Sequence, residues 1–516
     1  MNAKKNIIFK ILIQNEQILM NLFFYSFILL VLNYQFGLLD YKEWGDESET
    51  IVVCKMIGAG YKLYSQIYEP HGPLIYLPGL FLEKLGNFGI VAYRVLIFVF
   101  QSISLVCLYF SPLLANIRKP IKQIYLFIAS SLLIIYYPKF FSHTYVYQNM
   151  AGLIILIVLA QYTLPAIFAK QFTNSIRIAL CNVLIASLPF LGIAYIPATL
   201  FLFLCSVRKE YLLNSALWFL FGISINIVFI FSIGSLVGFY VYHFYFNTEI
   251  VPLFHSRMFY PTGVLSYLLN IFKGLTTNFS AFITLGLIAM LAFNIFSKEK
   301  FFAWRALLNW RLMLVILTML SLLLRGSDFH GLPYYYAVLT FLLIFLYFHK
   351  VNICRIYLIA APLAVLIFLK LLLLWPHDYE KIKSNIIPKT TEFSTLVDKV
   401  TNKEDRIIAY SWQPYEYIAS RRFPASGALT YFPWQVKYTM SPIMGINVDG
   451  CIEIQHYKPK VMLVDKLNVY GVHAWSTYGQ CIDDIISHDY IQIKNRPYYL
   501  RRDIAKQNTA LLSTFP

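Results

Sequence analysis

Seven carboxylates crowd one stretch of this chain. Asp40, Glu43, Asp46, Glu47, Glu49, Glu69 and Glu83 all fall within residues 40–88. Asp46 and Glu47 are adjacent and follow directly on a long apolar run. A carboxylate in that place can act as general base on an acceptor hydroxyl or amine, at a site built where helices meet the outer leaflet. The same acids also fit a structural role. Asp46-Glu47-Ser48-Glu49 has the spacing of a helix N-cap with an acid three positions on, and Glu43 and Glu49 fit a solvated face. Further along, Glu69-Pro70-His71-Gly72-Pro73 reads as a rigid turn carrying ionisable groups. Residues 73–85 are apolar but short, as in a helix lying along the membrane interface.

The elements that must position these groups are membrane helices. The chain has 516 residues, of which 58% are hydrophobic and only 13% charged, with a mean hydropathy of +0.60. This balance excludes a soluble enzyme, a disordered chain and a fibrous repeat. Aromatics at 17% suit a chain with many crossings, because Tyr and Trp favour the lipid–water interface. Apolar runs cover residues 18–39, 90–115, 121–138, 148–169, 178–191, 192–207, 212–238, 279–297, 307–325, 332–349 and 356–375. They predict about eleven spans. The pair 178–191 and 192–207 is the weakest, being short and interrupted by Pro189 and Pro197. The net charge of +17 resides mainly in alternate connections, including Lys4, Lys5, Arg118, Lys119, Arg208, Lys209 and Arg311. That is a positive-inside pattern with a cytoplasmic N-terminus. An odd span number then places the C-terminal part outside.

The fold predicted is thus a polytopic α-helical membrane protein. Residues 1–375 form the transmembrane body, with the outer loop 40–88 carrying the active site. Residues 376–516 form a small extracytoplasmic α/β domain, with a helix over 391–400, a strand near 405–412, a second at 461–465 and a closing strand over 490–500. No nucleophile or phosphate-loop signature appears in it. Cys451 and Cys481 both lie there and either pair or stay free. Cys107, Cys181, Cys205 and Cys354 lie in apolar runs, as small core residues do.

A long first hydrophobic helix, an outer loop with Asp46-Glu47 and a stretch from Leu63 to Arg94 reading LY…Y…HGPLIYLPGLFLEKLG…YR together resemble the GT-C superfamily of membrane glycosyltransferases. The resemblance is to the branch with protein O-mannosyltransferases, lipid A aminoarabinose transferases and rhizobial lipopolysaccharide-core galacturonosyltransferases. It covers residues 18–350 by layout. It implies a GT-C-like fold and an inverting transfer, on the outer side, from a polyprenyl-phosphate sugar. It makes Asp46 the catalytic base, with Glu47 as its neighbour. The acceptor classes it implies are lipopolysaccharide, lipid A, cell-wall glycan or protein. The setting is the bacterial inner membrane, and nucleic acid is not a partner.

Such a transfer needs cationic groups where charge builds on the departing phosphate. The resemblance points to His71. Arg94, Arg325 and His330 are further candidates for phosphate contact. The structural alternatives are snorkelling of Arg94 to headgroups, and an interfacial aromatic belt with an Arg325–Asp328 ion pair. Where relatives carry a second acid before the fourth span, this chain has Gln148 and Asn149, which can bind a sugar but cannot serve as a base. Tyr334 is a weaker substrate-binding candidate. His243 and His255 match no zinc spacing, so no metal is assigned and no cofactor is required. The aromatics of the C-terminal domain and Arg421-Arg422 either help bind a glycan acceptor or belong to a folded cap. Two other classes compete with the transferase: a transporter or flippase of lipid-linked glycans, which would concentrate ionisable residues inside its spans, and a glycan polymerase.

Overall fold

The computed structural model describes residues 18, 21–22, 24–86, 88–117, 119–130, 133, 141–168, 174–254, 264–276, 309–325, 329–348, 380–412 and 414–509. The structure is mostly helical (68%), and its described residues hold one small sheet. Three helices among the described residues are long and apolar enough to cross a membrane: Ile90–Tyr109, Tyr147–Phe168 and Lys209–Ile233. Shorter apolar helices cover Phe24–Leu38, Ser175–Phe190, Ile193–Ser206 and Trp310–Ser321. The runs at 279–297 and 356–375 lie outside the described residues.

Label the helices α1 (Phe24–Leu38), α2 (Gly45–Gly58), α3 (Tyr76–Leu85), α4 (Ile90–Tyr109), α5 (Lys119–Ser130), α6 (Tyr147–Phe168), α7 (Ser175–Ser187), α8 (Ile196–Ser206), α9 (Leu212–Ile233), α10 (Val264–Thr276), α11 (Trp310–Ser321) and α12 (Leu332–Phe348). Helix α6 is the centre of the body: it packs against both α4 and α12, and nearly all of Tyr147–Val158 is buried. Helix α4 is two-faced in a different sense. Its polar Arg94, Gln101 and Ser104 point inward, whereas Val91, Val95, Val99, Ile103 and Val106 form an exposed apolar stripe. An apolar stripe facing outward is the mark of a lipid-facing helix rather than a soluble one.

Small residues and capped ends explain how these helices close on each other. Gly222 of α9 lies so near α7 that a Cβ there would sit 2.8 Å from the Ala186 Cβ. Four residues on, the Asn226 amide donates to the Ser187 hydroxyl at 2.9 Å. Close small-residue contact plus an interhelical hydrogen bond is how helices associate where burial of apolar surface gives little drive. Pro189 lies at the start of a short 3-10 turn and Pro197 at the start of α8. A proline there lacks an N–H that would have had no partner anyway. The prolines therefore divide two helices rather than break one. Arg208 donates to the Ala166 carbonyl at 2.9 and 2.6 Å, closing the end of α6.

The C-terminal unit holds a four-stranded sheet: β1 (Ile408–Tyr410), β2 (Val461–Val464), β3 (Tyr490–Gln492) and β4 (Tyr498–Arg501), in the order β1-β2-β4-β3. β1 and β2 are parallel and the other pairings antiparallel. The single closing strand expected over 490–500 is a hairpin instead. Lys494 and Asn495 turn it with positive φ, a conformation Asn tolerates. Cys451 and Cys481 are joined as a disulfide.

This unit is fastened to the segment 40–88 and to the segment after α9. The Tyr68 N–H donates to the Gly427 carbonyl at 3.1 Å. A Cβ on Gly427 would fall 1.9 Å from the Gln66 carbonyl oxygen, so the chains touch backbone to backbone. The Val448 N–H donates to the Tyr242 hydroxyl at 3.1 Å.

Candidate active site

Helix α2 begins at Gly45 with Trp44 as N-cap, and no side chain caps it. The N-cap role for Asp46 is therefore not what the fold uses: Asp46 and Glu47 lie inside the first turn, where carboxylates are favoured by the helix dipole. The two acids point to different places. Glu47 is fully buried and meets Arg94 in a two-pronged ion pair, Nε–Oε1 at 2.9 Å and Nη2–Oε2 at 2.6 Å. Its Oε1 also accepts the Tyr145 N–H at 2.9 Å. Asp46 instead lines a cavity of about 360 Å³.

Arg94 does not line the cavity and does not snorkel. It is 0% exposed and donates to the carbonyls of Leu38 (3.2 Å), Leu39 (3.1 Å), Tyr41 and Lys42 (3.3 Å). With Glu47 it has no capacity left for a ligand. Glu47 and Arg94 are thus a structural clasp between α1, α2 and α4, and neither lines the cavity.

The cavity does gather Asp46, His71, Arg325 and His330, together with Glu49, which sequence reasoning placed on a solvated face. Its spacing from Asp46, one helical turn, was the signal for a shared face. The Glu69-to-Pro73 turn is as rigid as expected. The buried Glu69 holds His71 twice through Oε1, at 2.6 Å from Nδ1 and 2.9 Å from the backbone N–H. The Tyr64 hydroxyl donates to the His71 carbonyl at 2.6 Å. Gly72 is obligatory, since a Cβ would meet the Phe190 carbonyl oxygen at 2.1 Å. Arg325 donates to the Tyr147 hydroxyl at 3.1 Å. Asp328 lies outside the described residues, and so does His255.

The electrostatics follow from this enclosure. Burial raises the pKa of Asp46 above the ordinary carboxylate range, while His71, Arg325 and the Gln148 amide act to lower it. Burial, reinforced by Glu69 and Asp46, lifts Glu49 to about 8. Burial alone would lower His71; Glu69, Asp46 and Glu49 outweigh it and raise its pKa to about 9. Near neutral pH the cavity therefore holds an imidazolium, the Arg325 guanidinium and a protonated Glu49 around Asp46.

The remaining candidates divide. Gln148 is buried beside Asp46. Asn149 is committed to the fold, donating to the Phe141 and Thr144 carbonyls at 3.1 and 2.7 Å and accepting from the Tyr336 hydroxyl at 3.1 Å. Tyr334 is buried and off the cavity wall. The His243 ring lies between the Pro70 and Pro189 carbonyls, at 3.2 and 3.0 Å. Among the described residues no group of three His, Cys, Asp or Glu side chains is placed to hold a metal ion. The chain matches no family model and no curated protein.

Proposed function

We propose that the chain is an inverting membrane glycosyltransferase of the GT-C type, moving a sugar from a polyprenyl-phosphate donor to an extracytoplasmic acceptor. The observation that carries this reading is one cavity lined by Asp46, His71 and Arg325. Such a pairing places a base and a phosphate clamp within one small volume. Asp46 takes the proton of the acceptor hydroxyl or amine. The acceptor atom bonds to the anomeric carbon from the face opposite the phosphate. The bond from that carbon to the phosphate oxygen breaks, and the electron pair leaves with polyprenyl phosphate. His71 and Arg325 stabilise the departing charge, with His330 beside them. A raised pKa makes Asp46 a stronger base than a solvated carboxylate. The neutral Glu49 donates a hydrogen bond to a sugar hydroxyl.

In this reading about eleven helices span the bacterial inner membrane, residues 1–375 are the catalytic body and residues 376–516 the extracytoplasmic domain. The Cys451–Cys481 bridge supports an oxidising side for that domain. The test supplies membranes with a radiolabelled polyprenyl-phosphate sugar pool and follows loss of donor. Wild type consumes donor and Asp46→Asn does not, whereas Glu249→Gln, an exposed acid of the neighbouring segment, behaves as wild type. A wild type that consumes no lipid-linked sugar sinks the reading.

A further inference from the structure

The C-terminal unit lends the cavity four aromatic rings: Trp412, Phe432, Trp434 and Tyr470. They come from separate segments, after β1, at the start of the helix Pro433–Thr439 and in the turn beyond β2. Their centroids lie 5.4 Å apart for Trp412–Phe432, 4.7 Å for Phe432–Trp434, 6.1 Å for Trp434–Tyr470 and 5.8 Å for Tyr470–Trp412, which closes a ring of contacts. Tyr410, Tyr417, Trp475 and Tyr478 of this unit are buried, but Trp412 is 46% and Tyr470 49% exposed; Phe423 and Tyr457 are also exposed, but they do not line this cavity. An exposed pair of large rings at a cavity wall is the informative departure from ordinary burial.

The turn that presents Tyr470 is held on purpose. Tyr470 has φ +54°, and Gly471 follows at +69°. A bulky residue rarely adopts this backbone, and such positions persist only where the surroundings fix them. Here Val469 and His473 exchange backbone hydrogen bonds at 2.9 and 3.0 Å. The His473 ring lies 3.2 Å from the Phe254 carbonyl, and the Phe254 ring meets Trp434 at 6.4 Å. The platform is therefore anchored to the body that carries Asp46.

We infer that this quartet is the acceptor subsite and that its occupant is a pyranose of a glycan acceptor, an inference that rests on the glycosyltransferase reading. A pyranose has an apolar C–H face and a polar rim. The aromatic wall offers the negative ring faces that attract C–H groups, and Thr430 and the carboxyls in the same cavity offer partners for hydroxyls. A lipid chain would leave those polar groups buried without partners.

The test uses full-length protein in nanodiscs carrying Asp46→Asn, so that nothing turns over. Core oligosaccharide released from lipopolysaccharide, maltotriose and chitotriose are titrated and binding is read by saturation-transfer NMR. At least one saccharide binds, Trp412→Ala and Tyr470→Ala each weaken it 10-fold or more, and Trp412→Phe restores most of the affinity. Thermal unfolding of the Phe variant checks the fold. Binding that ignores both Ala variants overturns the inference, as does no saccharide binding at all. Loss of affinity for plain phospholipid vesicles in place of saccharides also overturns it, and marks a membrane-interface belt. Donor consumption by otherwise wild-type protein is followed in parallel. Platform-dependent saccharide binding without donor consumption removes the transferase reading and leaves a sugar site.

Discussion

At the scale of single residues, the two adjacent acids have opposite fates, and each fate makes a prediction. Asp46→Asn loses roughly 10²- to 10⁴-fold in kcat with little change in folding, as removal of a general base does. Arg94→Ala removes one half of a buried ion pair and costs about 3–5 kcal/mol of stability. The measure is Tm in detergent, while the donor KM of the folded fraction stays unchanged. A role for Arg94 in holding phosphate would raise that KM instead. Glu69 is a positioning residue for His71, and its test is a pH profile. The His71 pKa is raised from 6.5 to about 9 by Glu69, Asp46 and Glu49 against the burial that lowers it, so the imidazolium persists through neutral pH and is lost as pH rises through that value. Glu69→Gln removes the strongest support, and the alkaline limb of activity moves to lower pH by about one pH unit or more. An unmoved limb would show that His71 is not the group titrating. That an acid pair lies behind an apolar run was legible; which of the two acids lines the cavity was not. The Glu47–Arg94 clasp was not, because an ion pair between residues 47 apart leaves no local trace in the chain.

At the scale of elements, punctuation was the most readable feature. Thr391 caps the helix Glu392–Val400 with Ser394 in a reciprocal box, as its residue type foretells. Pro189 and Pro197, which look like interruptions in the sequence, lie where the helix from Ser175 ends in a 3-10 turn and where α8 begins. The hairpin of β3 and β4 was hidden because both strands are only a few residues long, and the Lys494-Asn495-Arg496-Pro497 turn between them reads as part of one closing strand. The disulfide belongs to this scale too. It ties the helices Gly450–Tyr457 and Gln480–Asp489 across a separation of 30 residues. Replacing both cysteines by serine should lower the stability of the C-terminal unit by about 2–4 kcal/mol, seen as a lower urea midpoint for its proteolysis, with the membrane body unaffected.

For the whole molecule, composition and charge asymmetry pointed to a membrane protein, but contacts between distant segments build its cavity. The cavity draws on the outer segment, α6, α11, the segment after α9 and the C-terminal unit at once, and no pattern along the chain states that convergence. The topology proposed has a direct measurement. Lys209→Cys and Ser441→Cys, both at exposed positions, should differ: the second reacts with an impermeant maleimide on intact spheroplasts, the first only after permeabilisation. Equal labelling would refute the orientation. One further consequence lies in the clasp. Arg94 of α4 donates to the Leu38 carbonyl at the end of α1, which the Tyr41 N–H also reaches, and to the Leu39 carbonyl just beyond it, where an unpaired group is costly next to hydrocarbon. During synthesis α1 emerges first, and the Leu39 carbonyl gains its Arg94 partner only after residue 94 leaves the ribosome. The clasp predicts an early hairpin of α1 and α4 closed over α2: a nascent chain arrested before residue 94 should stay bound to the insertion machinery, and one arrested after α4 should be released into the bilayer.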